Sequence, residues 1–168
     1  MAIILMNQYL YFLRHATAEV IRPNQLDIDR CLIEKGRLQA RRVAQFMLRH
    51  QIAPLRVFSS PYPRAMQTAA ILCKEAQLPS AIEQDWLALG TDTELAQQQL
   101  TPLLAEPTLV QQHTLFIGHE PDFSQLISAL LGLSSPQLNI KKASLTCLAY
   151  CYSNNSFELQ WSIPAKFM

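Results

Sequence analysis

A chain of 168 residues that is 49% apolar and 16% charged has enough apolar surface for a globular core and too few charges to stay disordered. Lys and Arg number 14 against 13 Asp and Glu, a formal net charge of +1. That near balance argues against a general nucleic-acid or membrane-surface binder, which needs a basic excess.

The length suits one domain spanning residues 1–168. The four cysteines, Cys31, Cys73, Cys147 and Cys151, form no Cys-x-x-Cys pair and sit at no zinc-finger spacing with a histidine. Free thiols in a reducing compartment are expected. Residues 1–6 are apolar but lack the basic leader, long core and small-residue cleavage site of a signal peptide. No apolar run approaches the roughly 20 residues of a membrane span. The expected location is the cytoplasm.

The first element is the apolar run over residues 9–13, which ends in Arg14-His15. A short unbroken apolar run reads as a strand buried on both faces, as in a parallel sheet. Residues 16–32, with Pro23, Asn24, Asp27 and Asp29, read as a long loop, and long ordered loops are often functional. A helix follows over 34–50, with Ala40, Val43, Ala44 and Met47 at i, i+3, i+4, i+7 and Arg37, Arg41, Arg42 and Arg49 mostly on a solvated face. Residues 55–59 form a second strand. Ser60 as N-cap and Pro61 as first helical residue open a second helix, whose buried stripe is Ala65, Thr68, Ala69, Leu72, Cys73 and Ala76. Arg64 then lies in the first turn, where a cation opposes the helix dipole. A negative group beside it, such as a phosphate, would resolve the conflict.

A short strand is expected near 81–83, an irregular exit at Leu89-Gly90-Thr91, and a helix over 94–106 with Ala96, Leu100 and Leu103 inward. The third core strand is 114–118. It ends in His119-Glu120-Pro121-Asp122 and leads to a helix with Phe123, Leu126, Ile127 and Leu130 on one face. Residues 145–152 and 157–161 are strand-like, joined by an Asn154-Asn155 hairpin turn. The order β-α-β-α-β-α-β-α-β-β predicts a three-layer α/β/α sandwich with a mostly parallel sheet and an antiparallel C-terminal edge.

In such a sheet, ligands collect beyond the carboxyl ends of the strands. Arg14, His15, Arg64 and His119 all fall at strand ends, so distant residues converge on one edge. Taken alone, the Arg14-His15 stretch reads more readily as a strand that happens to finish in polar residues than as a site. Together, two arginines and two histidines make a strong anion site, because guanidinium forks match phosphate oxygens bidentately.

These residues also carry a resemblance. Leu13-Arg14-His15-Ala16 resembles the Arg-His-Gly signature of the histidine phosphatase superfamily, with alanine in the glycine place. Residues 59–69, Ser-Ser-Pro-Tyr-Pro-Arg-Ala-Met-Gln-Thr-Ala, are similar to its second motif, and Gly118-His119-Glu120-Pro121 to its third. Residues 29–36 look like the stretch that the SixA-type branch fills with Arg-Pro-Leu-Thr and a glycine three residues on. The resemblance spans residues 9 to about 132. It implies a phosphoglycerate mutase-like fold and a phosphatase of signal transduction. His15 would be the nucleophile, forming a phosphohistidine that water hydrolyses, while Arg14, Arg64 and His119 hold the phosphoryl oxygens. Arg30 would join from the loop, and Lys142 if its own loop borders the crevice. No metal or other cofactor is implied, since the arginines supply the positive charge.

There are departures. Ala16 fits in the glycine place if its φ is negative. Cys31 and Ile33 replace the usual proline and threonine. Residues 83–90, Glu83 included, show no match to the acid of mutase-like relatives. Glu120 occupies the acid position of the acid phosphatase branch, and reads equally as a helix-start residue favoured by the dipole. A missing acid points to a nitrogen leaving group, hence phosphohistidine on a protein. The alternatives are a small phosphorylated metabolite as substrate, with a mutase-like enzyme among them, and a non-catalytic phospho-ligand binding domain. A metal hydrolase built on His15 and His119 lacks tightly spaced acidic ligands. No nucleic acid, membrane or second subunit is called for, and a monomer is one option. His50 and His113 read as surface groups, and Tyr62, Trp86 and Trp161 as core or rim.

Overall fold

The computed structural model describes residues 7–104 and 113–168. Its strands are β1 (Gln8–Arg14), β2 (Arg56–Ser59), β3 (Ile82–Glu83), β4 (Thr114–Gly118), β5 (Leu145–Cys151) and β6 (Ser156–Ile163). Its helices are α1 (Glu34–Arg49), α2 (Pro63–Glu75), α3 (Thr93–Leu100) and α4 (Asp122–Leu130). One six-stranded sheet runs β3-β2-β4-β1-β5-β6. The first four strands are parallel and the β5–β6 hairpin adds the antiparallel edge. This is the expected three-layer α/β/α arrangement.

The apolar runs are continuous because both sheet faces are covered. Alternate residues of β1 go to opposite layers: Tyr11 and Leu13 pack with Val43, Met47 and Leu72 of α1 and α2, Leu10 and Phe12 with Leu100, Phe123 and Ile127 of α3 and α4. That period of two is what a pleated strand imposes. The α1 stripe is buried as the spacing predicts, while Arg37 and Arg41 lie exposed beside Glu34. Asn155 takes the left-handed conformation (φ 52°) in the hairpin turn. All four cysteines are free. Among the described residues, no helix is long and apolar enough to cross a membrane.

Three boundaries differ from expectation. Helix α2 begins at Pro63 with Tyr62 as N-cap, not at Pro61. Ser60 accepts the Tyr62 N–H in a tight turn (3.3 Å) and so stays outside the helix. Helix α3 starts at Thr93, because the Asp92 carboxylate accepts the N–H groups of Glu94 and Leu95. It ends at Leu100, where Pro102 turns the chain into a short 3-10 segment, and the remainder of the expected helix, residues 105–106, lies outside the described residues, as do residues 1–6. His113 is not a surface group: it is half-buried, and its Nδ1 accepts the Tyr9 N–H at the entry of β1 (3.2 Å).

Candidate active site

Register alone brings three strand ends together. Arg14 pairs with Gly118 and Ser59 with Ile117 across β1, β4 and β2. The ladder continues one residue further, as the His15 N–H bonds the Gly118 carbonyl (2.9 Å) and the Ser60 N–H the Ile117 carbonyl (2.9 Å). The two histidine rings end 5.1 Å apart between centroids.

His15 is 6% exposed. Its Nδ1 lies 2.7 Å from the Ala16 carbonyl, which only accepts, so Nδ1 carries the proton and Nε2 keeps the lone pair. Burial, with Arg64, Arg14 and Lys142 adding to it against the Ala16 hydrogen bond, pushes its pKa down to about 3. The ring is therefore neutral and nucleophilic at pH 7. Ala16 is fully buried outside the positive-φ region, so a methyl fits where the signature has glycine.

His119 is held differently. Its Nε2 is 2.8 Å from the Ser60 hydroxyl, which is itself the acceptor for Tyr62. We assign the hydroxyl hydrogen to Nε2, which gives that donor an acceptor and places the ring proton on Nδ1, an atom buried without a protein partner. Burial, then His15 and Arg64, lower the His119 pKa to about 3 as well. Arg14 donates from Nη1 to the Ile140 carbonyl (2.8 Å), and Arg64 is 2% exposed. The Nε atoms of both arginines are buried and lack a partner. Buried donors are seldom left unpaired, so three such N–H groups around a neutral histidine define a place for acceptor oxygens from outside the chain.

The other predicted residues take different positions. Lys142 is half-buried within the field of Arg14, Arg30 and Arg64; burial first, and these cations next, lower its pKa. Its loop borders the site, since the Ala143 N–H bonds the Arg14 carbonyl (3.1 Å). Arg30 is not turned to His15: it donates to the Glu19 carbonyl (2.6 Å) and to Asp27 (2.7 Å). Glu120 accepts the Ser124 N–H (3.1 Å) at the start of α4, and burial pushes its carboxyl up despite Arg14. Glu120 thus stands at the helix start with a carboxyl that burial biases toward its protonated form. Glu83 is exposed at the end of β3.

Several residues escaped the sequence reading. The negative group beside Arg64 is Asp27, whose carboxylate and carbonyl both accept from its guanidinium. The Tyr62 ring lies 5.1 Å from His119 and 5.2 Å from the Arg64 guanidinium carbon. Thr68 receives the Ala16 N–H (3.1 Å) and Gln67 the Leu32 N–H (2.7 Å), so the second motif secures the exit of the first. Gly36 is where α1 meets that exit: a Cβ there would collide with the Thr17 carbonyl oxygen. The signal for Ser60, Tyr62, Gln67 and Thr68 was their place inside the second motif; Asp27 had none beyond its loop.

The family model of the histidine phosphatase superfamily (branch 1) matches residues 10–98, more than half of the chain. The chain belongs to the histidine phosphatase superfamily. By class it is a phosphatase hydrolase. This histidine phosphatase shares its fold with the protein histidine phosphatase SixA complexed with tungstate (TM-score 0.84, 22% identity, covering 95% of this chain and 99% of that one). It is similar to the putative phosphohistidine phosphatase SixA from Agrobacterium tumefaciens (TM-score 0.75, 22% identity, 94% and 98% covered). A mycobacterial glucosyl-3-phosphoglycerate phosphatase complexed with VO3 is also similar (TM-score 0.76, 21% identity, 92% and 98% covered). No curated protein matches the sequence.

Proposed function

We propose that this histidine phosphatase hydrolyses phosphohistidine on a protein through a phosphoenzyme formed at His15, in the manner of SixA. The observation that carries the reading is a neutral His15 with its Nδ1 proton tied to Ala16, beside three unpartnered donors on Arg14, Arg64 and His119. Phosphoryl transfer asks for placement and charge neutralisation more than for acid–base work. Nε2 of His15 attacks phosphorus in line with the departing group. Arg14, Arg64 and His119 take the equatorial oxygens, with Lys142 and Arg30 adding positive potential from the rim. Water then attacks the phosphohistidine and frees inorganic phosphate. The tungstate and VO3 bound by the similar structures are oxyanions of the type these donors fit.

The preference for a nitrogen leaving group rests on the leaving-group chemistry, since such a nitrogen needs less help from an acid than an alkoxide. It rests also on Glu83 lying exposed at the end of β3, away from the role of acid. The reading takes residues 1–168 as one domain working in the cytoplasm on a phosphorylated protein. A second reading, a small phosphorylated metabolite as substrate, is favoured by the likeness to the glucosyl-3-phosphoglycerate phosphatase.

Trapping the phosphoenzyme with a labelled phosphoramidate, in wild type and His15→Ala, tests the proposal. Label is expected on wild type alone. Equal labelling, or none on either, overturns it, the latter in favour of a binding domain. Turnover of a phosphohistidine peptide against an alkyl phosphate separates the two substrate classes, and a strong preference for the ester would sink the first.

A further inference from the structure

Asp27 has no assigned part in the reaction, yet it makes the closest charge contacts at the site. Arg64 grips it twice, Nη1 donating to its carbonyl at 2.6 Å and Nη2 to carboxylate Oδ2 at 2.8 Å. The other oxygen, Oδ1, accepts from Arg30 at 2.7 Å. The Arg64 side chain is 2% exposed, whereas that of Asp27 is 39% exposed. The carboxylate thus closes over the outer edge of a buried guanidinium and keeps one flank open to solvent. Arg30's hydrogen bond, against a smaller burial effect and with Arg64's help, holds its carboxyl below the usual range, so it is charged at neutral pH. Its field reaches His119, whose charged form it favours.

Orienting Arg64 needs an acceptor, and the Asp27 carbonyl already provides one. A full negative charge in addition weakens the site's pull on a phosphoryl dianion. That is a loss for an ester whose leaving alcohol is neutral or anionic. It becomes a gain where the phosphoryl group is joined to a protonated nitrogen, because a carboxylate nearby favours the protonated form.

We propose that Asp27 sets the substrate class by its charge, selecting phosphoryl groups bound to a protonated nitrogen over phosphate esters. This deepens the function proposed above and rests on it. In the step concerned, the lone pair of His15 Nε2 forms the new N–P bond as the substrate's P–N bond breaks. The electron pair of the broken bond returns to the departing nitrogen, which leaves as a neutral base with the proton it brought. No proton donor from the chain is consumed in this step.

The test uses the whole chain with two probes, phosphoimidazole and p-nitrophenyl phosphate. Asp27→Asn keeps an acceptor for Arg64 and removes the charge. It is expected to lower kcat/KM for phosphoimidazole about tenfold and to leave p-nitrophenyl phosphate unchanged or faster. The basic limb of the phosphoimidazole pH profile should move down, since less substrate stays protonated. Asp27→Glu, which restores the charge, should recover the preference. An equal loss on both probes, or an unmoved pH limb, overturns the proposal and leaves Asp27 a structural brace. If wild type turns over neither probe through His15, the reading of the function fails instead, which phosphoenzyme trapping shows independently.

Discussion

The floor of the site and its rim are built on different principles. The floor is Arg14, His15 and His119, with Arg64 reaching in from α2. Its parts are placed by the register of three parallel strands, each is strongly or partly buried, and its free donors have no hydrogen-bond partner in the protein. The rim is the loop over residues 16–33, which carries Asp27 and Arg30. It is zipped at its base by a bridge between Ala18 and Leu32, touches the floor through Arg64, and holds Glu19, Arg22, Asp27 and Arg30 in ion pairs. In the proposed reaction the floor supplies the chemistry of phosphoryl transfer, and the rim, through Asp27, sets which phosphoryl carriers are preferred. Placement by a sheet is rigid and placement by ion pairs is adjustable, so selectivity is more easily altered at the rim than reactivity at the floor.

Substitutions should separate the two regions. His15→Ala removes the nucleophile of the proposed reaction, and steady-state turnover should fall at least about 10³-fold. Arg64→Ala should lower kcat by about 10²- to 10³-fold, the range for losing one preorganised donor at developing charge, whereas Arg30→Ala should stay within about tenfold. Equal losses from the two arginines, measured side by side, would erase the distinction between floor and rim. Ser60→Ala should cost about tenfold in kcat with little change in KM, because His119 is then free to carry its proton on either nitrogen. Nitrogen chemical shifts of His119 report that tautomer directly.

Two stability measurements complete the comparison, one on the histidines of the floor and one where the rim loop meets α1. Natively, His15 and His119 stay uncharged down to about pH 3, while an unfolded histidine takes up its proton near pH 6.5. Below pH 6.5 the unfolded chain therefore binds more protons, so their contribution is intact above that pH and declines from 6.5 toward 3. The slope is at most about 1.4 kcal/mol per pH unit for each ring. Urea midpoints across that window should show the decline, and His15→Gln should flatten it. Gly36→Ala is the mildest case. Pushing the Thr17 carbonyl away should cost about 1–3 kcal/mol in a thermal melt.

The floor was legible because each component is a local event, an apolar run followed at once by a polar residue, and a parallel sheet brings all such ends to one edge. Arg64 announced its need for a counter-charge by standing in the first turn of a helix. The answer to that need was not legible. Asp27 lies 37 residues from Arg64, in a loop whose composition suits solvent as well as a site. Likewise Ser60 reads locally as a helix cap, and only the pairing of β2 with β4 shows that its hydroxyl serves His119 instead.

What the sequence determined by itself was the order of strands and helices, both covered faces of the sheet, and the charged and imidazole side chains that meet at its carboxyl edge. Periodicity and short motifs encode these, since they depend on neighbours along the chain. Tertiary structure alone decided the partners: which nitrogen of each histidine carries its proton, which carboxylate answers Arg64, and which way Arg30 turns. Those choices depend on contacts within 3 Å whose geometry the folded backbone sets. The contacts join neighbours for His15 and Arg30 and distant residues for His119 and Arg64, and no local pattern records them.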